Sequence, residues 1–367
     1  MQLLNSQEAR LIAMMAIVRR SDCFAALVTV FVAGLVPCRA AQISNPQAAT
    51  ACQESRLTIL GGGGYTFLNV DGPNAGINAG TGTNLNGLSN TGAAVGFDID
   101  NNGESHNFFG DLVGTITLLN INGSTKAMAF GANRAGSLVG TDGNGNAFFL
   151  RSGNLQTFIP GGGSSAAAFG INDNGNIVGQ YTINGQTPGF FLSDHEGQGF
   201  VRIDGPSGPD VVNAQGINQT RQIVGFYVGV DGQDHGFVAN VLQARHGQLT
   251  GTAIVDPTIP AVAGEPGATF VFSQILGVNN SGIAVGYYGD STTSQHGFLY
   301  NLDTGQYTFM DDPAESFNNG VEVTQITGIN DSGDLTGFYS DANGVFHGFF
   351  ALPNGQTCPA SASSKVQ

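Results

Sequence analysis

Tryptophan is absent from this chain of 367 residues, lysine occurs only at Lys126 and Lys365, and Lys and Arg together number 12 against 27 Asp and Glu. So few cations exclude a surface that grips phosphate backbones or anionic lipid, and nucleic acid is set aside as a partner. Only 11% of residues are charged, which argues against long solvent-exposed helices laced with ion pairs. Beyond residue 40 no apolar stretch approaches the ~20 residues that a helix needs to cross a bilayer. Catalytic signatures are missing too. The chain has no G-x-S-x-G, H-E-x-x-H, C-x-x-C or G-x-x-x-x-G-K, and the glycine runs at 61–64 and 161–163 sit between β-type segments and read as turns.

Glycine, by contrast, is abundant at 56 residues, roughly double ordinary usage. The hydrophobic fraction of 41% is enough for a packed core, and there is no G-X-Y period to suggest collagen. The first 40 residues stand apart. Arg19 and Arg20 precede the apolar run CFAALVTVFVAGLV at 23–36, and small residues follow at Ala40 and Ala41. Positive, apolar and small in that order is the pattern of an export signal, and residues 1–40 are read as a cleaved signal peptide. The competing reading is an uncleaved anchor; a lipid anchor on Cys38 is disfavoured by Pro37. Removing residues 1–40 leaves 12 − 4 = 8 basic and 27 − 2 = 25 acidic residues, a net charge of −17. The expectation is a secreted or periplasmic monomer with no membrane span after cleavage.

Two cysteines remain, Cys52 in the N-terminal segment 41–57 and Cys358 at the start of the tail 358–367. In an oxidising compartment such a pair predicts a disulfide joining the two ends, with free or intermolecular thiols as the alternative. A closed loop of about 300 residues would contribute roughly 5 kcal/mol in chain-entropy terms.

Between them, one pattern is written six times: GLSNTGAAVGF from Gly87, GANRAGSLVGT from Gly131, GINDNGNIVGQ from Gly170, GINQTRQIVGF from Gly216, GVNNSGIAVGY from Gly277 and GINDSGDLTGF from Gly328. Apolar and β-branched residues flank a short polar centre, which predicts a hairpin. Within GINDNGNIVG, Asn172 caps the turn and Gly175 supplies the positive φ of a G1 bulge. Arg221 holds that place in the fourth copy, where strain of about 1 kcal/mol or a different turn is expected. The closing glycines, Gly96, Gly140, Gly179, Gly225, Gly286 and Gly337, predict close approach of a strand or an aromatic ring. Each copy continues into a segment ending in Phe (HNFF at 106, NAFFL at 146, PGFFL at 188, HGFV at 235, HGFLY at 296, HGFF at 347), and often into a further strand such as FVRID or YTFMDD.

Four strands in each unit of 40 to 60 residues describe the blades of an all-β propeller or an open β-repeat array. The ends favour the first. YTFLNVDGP from Tyr65 is a last-strand segment with no copy before it, while HGFFALPNG after the sixth copy lacks one. The surplus fits the vacancy, and a six-bladed propeller spanning 58–357, closed by its N-terminal strand, is the predicted fold.

These segments resemble the bacterial extracellular repeat family HAF, whose units pair a GIND-G-IVG hairpin with a His-Ala-Phe or His-Gly-Phe strand. The resemblance covers residues 65–350 and implies an exported, propeller-like protein. It brings no established activity or catalytic residues. The chain departs from the pattern where Asn146 and Pro188 replace the histidine.

Candidate chemistry is sparse. His106, His235, His296 and His347 occupy equivalent places; structural imidazoles bonded to neighbouring backbone are expected, with a metal ring as the alternative. Asp98, Asp100 and Asn102 followed by Gly103 match the opening of a calcium loop, although Phe109 stands where the bidentate Glu belongs. The alternative is an Asx-rich turn. No other cofactor is indicated. The insertion at 240–270 carries Arg245, His246 and Asp256 as a candidate ligand loop. Asp71, Asp204, Asp256 and Asp312 recur at strand ends and could converge only through the fold. The functional expectation is a binding or surface-interaction module with an extracellular or envelope ligand. The alternatives are a secreted hydrolase or lyase acting on carbohydrate or cell-wall material, and a structural envelope protein.

Overall fold

A computed structural model describes residues 64–111, 116–193, 199–206, 211–240, 253–254, 256, 268–315, 318 and 320–354. Residues 1–40, read above as an export signal, lie outside these residues, as do Cys52, Cys358, Arg245 and His246. Among the described residues the architecture is all-β: twenty-four strands and one 3-10 turn at Pro160–Gly162, with no helix long and apolar enough to cross a membrane.

The strands follow the repeats. After β1 (Tyr65–Val70) come β2 (Gly82–Leu88), β3 (Ala93–Ile99), β4 (Ser105–Asp111) and β5 (Ile116–Leu119). The second copy gives β6 (Met128–Ala132), β7 (Leu138–Thr141), β8 (Ala147–Arg151) and β9 (Asn154–Phe158), and the third gives β10 (Ser165–Ile171), β11 (Ile177–Thr182), β12 (Gly189–Leu192) and β13 (Phe200–Ile203). Then follow β14 (Val212–Ile217), β15 (Gln222–Val228), β16 (Asp234–Asn240) and β17 (Ala253–Ile254), and β18 (Phe270–Val278), β19 (Ile283–Asp290), β20 (Gln295–Asn301) and β21 (Gln306–Phe309). The last copy supplies β22 (Thr324–Ile329), β23 (Leu335–Ser340) and β24 (Phe346–Pro353).

Copies two to five each form a four-stranded antiparallel meander. The remaining eight strands make two more, β2 to β5 and β22-β23-β24-β1, linked through one parallel pair, Gly82 with Phe346. The surplus N-terminal strand does complete the last sheet: β1 pairs antiparallel with β24 from Tyr65↔Pro353 to Val70↔Gly348.

Glycine explains how the sheets approach one another. A Cβ at Gly170 would lie 2.5 Å from the Gln215 carbonyl and 3.1 Å from the Cα of Gly216, which itself faces Leu276 and Gly277 of the following copy. The same contact recurs from each first glycine to the next copy, and Gly328 meets Asn86 and Leu88 of the first. Backbone touches backbone there, so any side chain would force the inner strands apart. Five closing glycines meet an aromatic ring, as at Gly179, where a Cβ would fall 2.7 Å from the Phe190 ring, and Gly286 meets the backbone of Gln274 and Ile275. A feature absent from the sequence reading is a bulge at the residue before each first glycine, where every first hairpin shifts register.

The core lies between sheets. Phe108, Phe148, Phe190, Phe237, Phe298 and Phe349, the equivalent Phe of each third strand, are at most 1% exposed. Each belongs to a different apolar cluster that joins two sheets. Full burial of such a side chain stabilises by roughly 1.5–3 kcal/mol.

Candidate functional site

The six first hairpins meet at one end of the sheets, and the turn residue Asn does two jobs there. Asn172 Oδ1 accepts from the backbone N–H of Asn174 and Asn176 at 3.1 and 3.0 Å, which fixes its own turn. Its Nδ2 donates to the carbonyl of Asn218 in the next copy at 2.9 Å. Asn133, Asn218 and Asn279 repeat this, donating to Asn172, Asn279 and Asn330 at 3.1, 3.0 and 3.1 Å. An aspartate could form the turn but has no N–H to reach the neighbour. The series ends at both sides of the first copy: Ser89 replaces the Asn, and Asn330 turns to Asp334 at 2.8 Å. As expected, Gly92, Gly136, Gly175, Gly282 and Gly333 hold positive φ in these turns; Arg221 keeps the same geometry at φ 64° rather than adopting another turn.

The residue after each Asn forms a second tier. Asp173 Oδ1 accepts from the Arg134 N–H at 2.7 Å and its Oδ2 from Asn90 Nδ2 at 3.1 Å. Asn280 Oδ1 accepts from the Gln219 N–H at 2.8 Å, Asp331 Oδ1 from the Asn280 N–H at 2.9 Å, and Asn90 Oδ1 from the Asp331 N–H at 2.9 Å. These tiers surround a cavity of about 50 Å³ that draws lining from all six copies. Leu88, Ala132, Ile171, Ile217, Val278 and Ile329 give it an aliphatic layer, each between 7% and 9% exposed. Asn172, Asn218 and Asn279 add amides, and Asn90, Asp173, Gln219, Asn280 and Asp331 form a polar rim. None of these rim residues was singled out from the sequence. The signal was present as a variable polar column beside the near-invariant Asn of the aligned copies.

At the other end of the sheets the histidines are built differently from the expectation. His235, His296 and His347 bond carboxylates, not backbone, because the second hairpin and the last strand of each of their sheets deliver an Asp beside the ring, while His106 approaches Asp100 of its second hairpin at 3.4 Å. His235 lies with Nδ1 2.9 Å from Asp256 and Nε2 3.0 Å from Asp231. His296 sits between Asp311 at 3.0 Å and Asp290 at 3.5 Å, and His347 between Asp71 at 3.0 Å and Asp341 at 3.7 Å. Tyr227, Tyr288 and Tyr339 pack on these three rings at 5.1–5.5 Å. Burial pulls the His296 imidazole down, but the Asp311 hydrogen bond and the Asp311, Glu322 and Asp290 charges outweigh it and hold it up at about 9. The same competition raises His235. His347 is raised first by its Asp71 hydrogen bond, against burial. Burial also lifts Asp98 and Asp312 to about 6 and Glu315 further.

The calcium pattern is not gathered around one point. Asp98 is buried in β3 and accepts from the Asn74 N–H at 3.1 Å. Asp100 caps the second hairpin, accepting from the Asn102 and Glu104 N–H groups at 2.8 and 3.0 Å, while Asn102 Nδ2 donates to it. The ligand atoms that converge, within 4.8 Å, belong to Asp100, Glu104 and His106. Asp142, Asp290 and Asp341 cap the same turn in other copies. Asp256, from the candidate ligand loop, is engaged by His235 and by the Ser273 hydroxyl. Asp204 accepts from Arg202 Nε at 2.6 Å. Asp71, Asp204, Asp256 and Asp312 do not line the cavity.

No protein-family model and no curated protein matches the chain. Solved structures do, all at low identity. A gluconolactonase from Xanthomonas campestris is 12% identical, covering 86% of this chain and 95% of that one at a TM-score of 0.47. Streptogramin B lyase is 12% identical over 78% and 97% of the two chains at 0.41. The lectin of Aleuria aurantia, described as a six-bladed β-propeller, is 12% identical over 75% and 95% at 0.37. All three neighbours stand below a TM-score of 0.5.

Proposed function

We propose that the six sheets are blades of a closed propeller and that the protein is an exported binding module of the HAF type, with its ligand site at the end where the first hairpins meet. The observation that carries the site is a cavity lined from every copy by aliphatic and amide groups, with two carboxylates, Asp173 and Asp331, at its rim. Its amides and aliphatics do not donate or abstract protons at neutral pH, and its two carboxylates, Asp173 and Asp331, each accept hydrogen bonds from neighbouring turns. His296, Asp312 and Glu315, whose proton affinities are strongly raised, are absent from its lining, which favours binding over catalysis there. Ring closure is supported by the β1–β24 pairing, by Gly328 against Asn86, and by the Asp331–Asn90 hydrogen bond. The Cys52–Cys358 disulfide belongs to the same proposal. Asn354 N–H donates to the Gly64 carbonyl at 2.6 Å, which sets side by side two points 64 − 52 = 12 and 358 − 354 = 4 residues from the cysteines.

Two measurements test this reading. Small-angle scattering of residues 41–367 is expected to give a radius of gyration of about 19 Å, the value for a compact body of some 300 residues; an elongated particle overturns the closed propeller. Backbone NMR during a ligand screen is expected to show shifts centred on Asn90, Gln219 and Asn280. Ligands that move only the histidine-bearing end place the site elsewhere.

A further inference from the structure

The cavity rim has a chemistry that narrows the ligand class. Its carboxylates are held in place: Asp173 accepts from Arg134 N–H and Asn90 Nδ2, and Asp331 accepts from both the backbone and side-chain nitrogens of Asn280, the latter at 2.7 Å. Each carboxylate still has lone pairs to offer. Donors stand beside them. Asn90 and Asn280 each spend one Nδ2 hydrogen on a carboxylate and keep a second, while among the described residues the Gln219 carboxamide has no side-chain partner at all. Acceptors and donors therefore alternate around one opening.

Each ligand class can be weighed against that pattern. An anion meets two carboxylates in a chain of net charge −15. A cation satisfies Asp173 and Asp331 but leaves the Asn90 and Asn280 N–H groups facing it. An apolar group desolvates the rim without offering any of its polar groups a partner. A hydroxyl both donates and accepts, so adjacent hydroxyls satisfy a carboxylate and a carboxamide together. The volume of about 50 Å³ holds one or two groups the size of water, each of which occupies roughly 30 Å³. It admits the edge of a polyol whose remainder stays in solvent. No aromatic side chain lines it, so recognition runs through hydroxyls and not through stacking on a ring face.

We infer that the rim formed by Asn90, Asp173, Gln219, Asn280 and Asp331 binds a neutral saccharide end through two neighbouring hydroxyls. This rests on the binding-module reading and specifies its ligand. The test uses the chain from residue 41 and three sets of probes at millimolar concentration: methyl glycosides of glucose, galactose and mannose; lysine methyl ester; and glucose 6-phosphate. Binding is followed by protein-observed NMR. At least one methyl glycoside is expected to shift the rim amides, and Gln219→Ala is expected to weaken it about tenfold with an unchanged melting temperature, because that side chain supports nothing in the fold. Asp331→Asn, with melting checked in parallel, is expected to weaken it further. Lysine methyl ester alone binding at the rim overturns the saccharide assignment while keeping the site. Glycosides that bind but ignore Gln219→Ala and Asp331→Asn overturn the rim. Silence of the rim to every probe overturns the inference.

Discussion

The two ends of the sheets are tied by different chemistry, between successive repeats at one end and between the strands of a single sheet at the other. At the first-hairpin end the link is a neutral carboxamide reaching a carbonyl, as Asn172 reaches Asn218. At the opposite end, in the last three sheets, it is an imidazole between two carboxylates under a tyrosine, as at His296. The neutral link works at any pH at which the protein folds. The ionic one depends on a proton. One end is thus fixed in geometry and the other in charge, and variants at each should behave differently.

The largest effect is expected at the inner glycines. Gly216→Val places carbon against the Leu276 carbonyl and the Gly277 backbone, 2.9 and 3.1 Å from a Cβ, and should cost more than 3 kcal/mol or prevent folding; urea unfolding measures it. Next is Asn279→Asp, which keeps the acceptor for the Ser281 and Ile283 N–H groups but removes the donor to Asn330. A loss of about 1–3 kcal/mol is expected, seen as a lower urea midpoint at both pH 6 and pH 8.5.

His347→Gln should cost less, about 1 kcal/mol, since the pair with Asp71 is partly exposed. Its signature is the pH dependence. A histidine raised in the folded state stabilises fully below its ordinary value near 6.5 and loses that contribution as pH rises through the folded value. With His235, His296 and His347 all raised, and Asp98 and Asp312 binding protons up to about 6, these groups make stability fall as pH climbs from about 4 towards 9. The lowered Asp100, Asp231 and Asp341 oppose this only at the acid end. Thermal melts across that range should slope downward, and His347→Gln should flatten the slope above pH 6.5. The smallest effect is a gain. Ser89→Asn supplies the missing amide next to Asn133 and should stabilise by about 0.5–1 kcal/mol; no change would mean the neutral series is already complete without it.

Much of this was legible in the sequence because it is local. The Asn-to-Gly turn, the hairpin and the space that Gly179 leaves for Phe190 are each set within a few dozen residues, and six copies average out accident. The surplus strand from Tyr65 was legible by counting. What stayed hidden joins residues that no spacing relates. Asp71 reaches His347 across 347 − 71 = 276 positions, and Asn90 meets Asp331 across 241. The calcium pattern carries two readings for a physical reason: Asp and Asn at alternate positions before Gly also satisfy a tight turn, and Asp100 uses its oxygens there. The bulge before each first glycine leaves no composition signal, since Asn86, Phe130, Phe169, Gln215, Leu276 and Thr327 occupy it in turn.

The pairing of β1 with β24 also dictates an order of assembly. Tyr65 and Pro353 are partners although 288 residues separate them, so the final sheet can be finished only after nearly the whole chain is available, whereas each internal meander can form from its own 40 or so residues. Contacts that close so long a loop are the slowest to gain. Amides of β24 that face β1 should therefore be the last in the molecule to acquire protection from exchange during refolding.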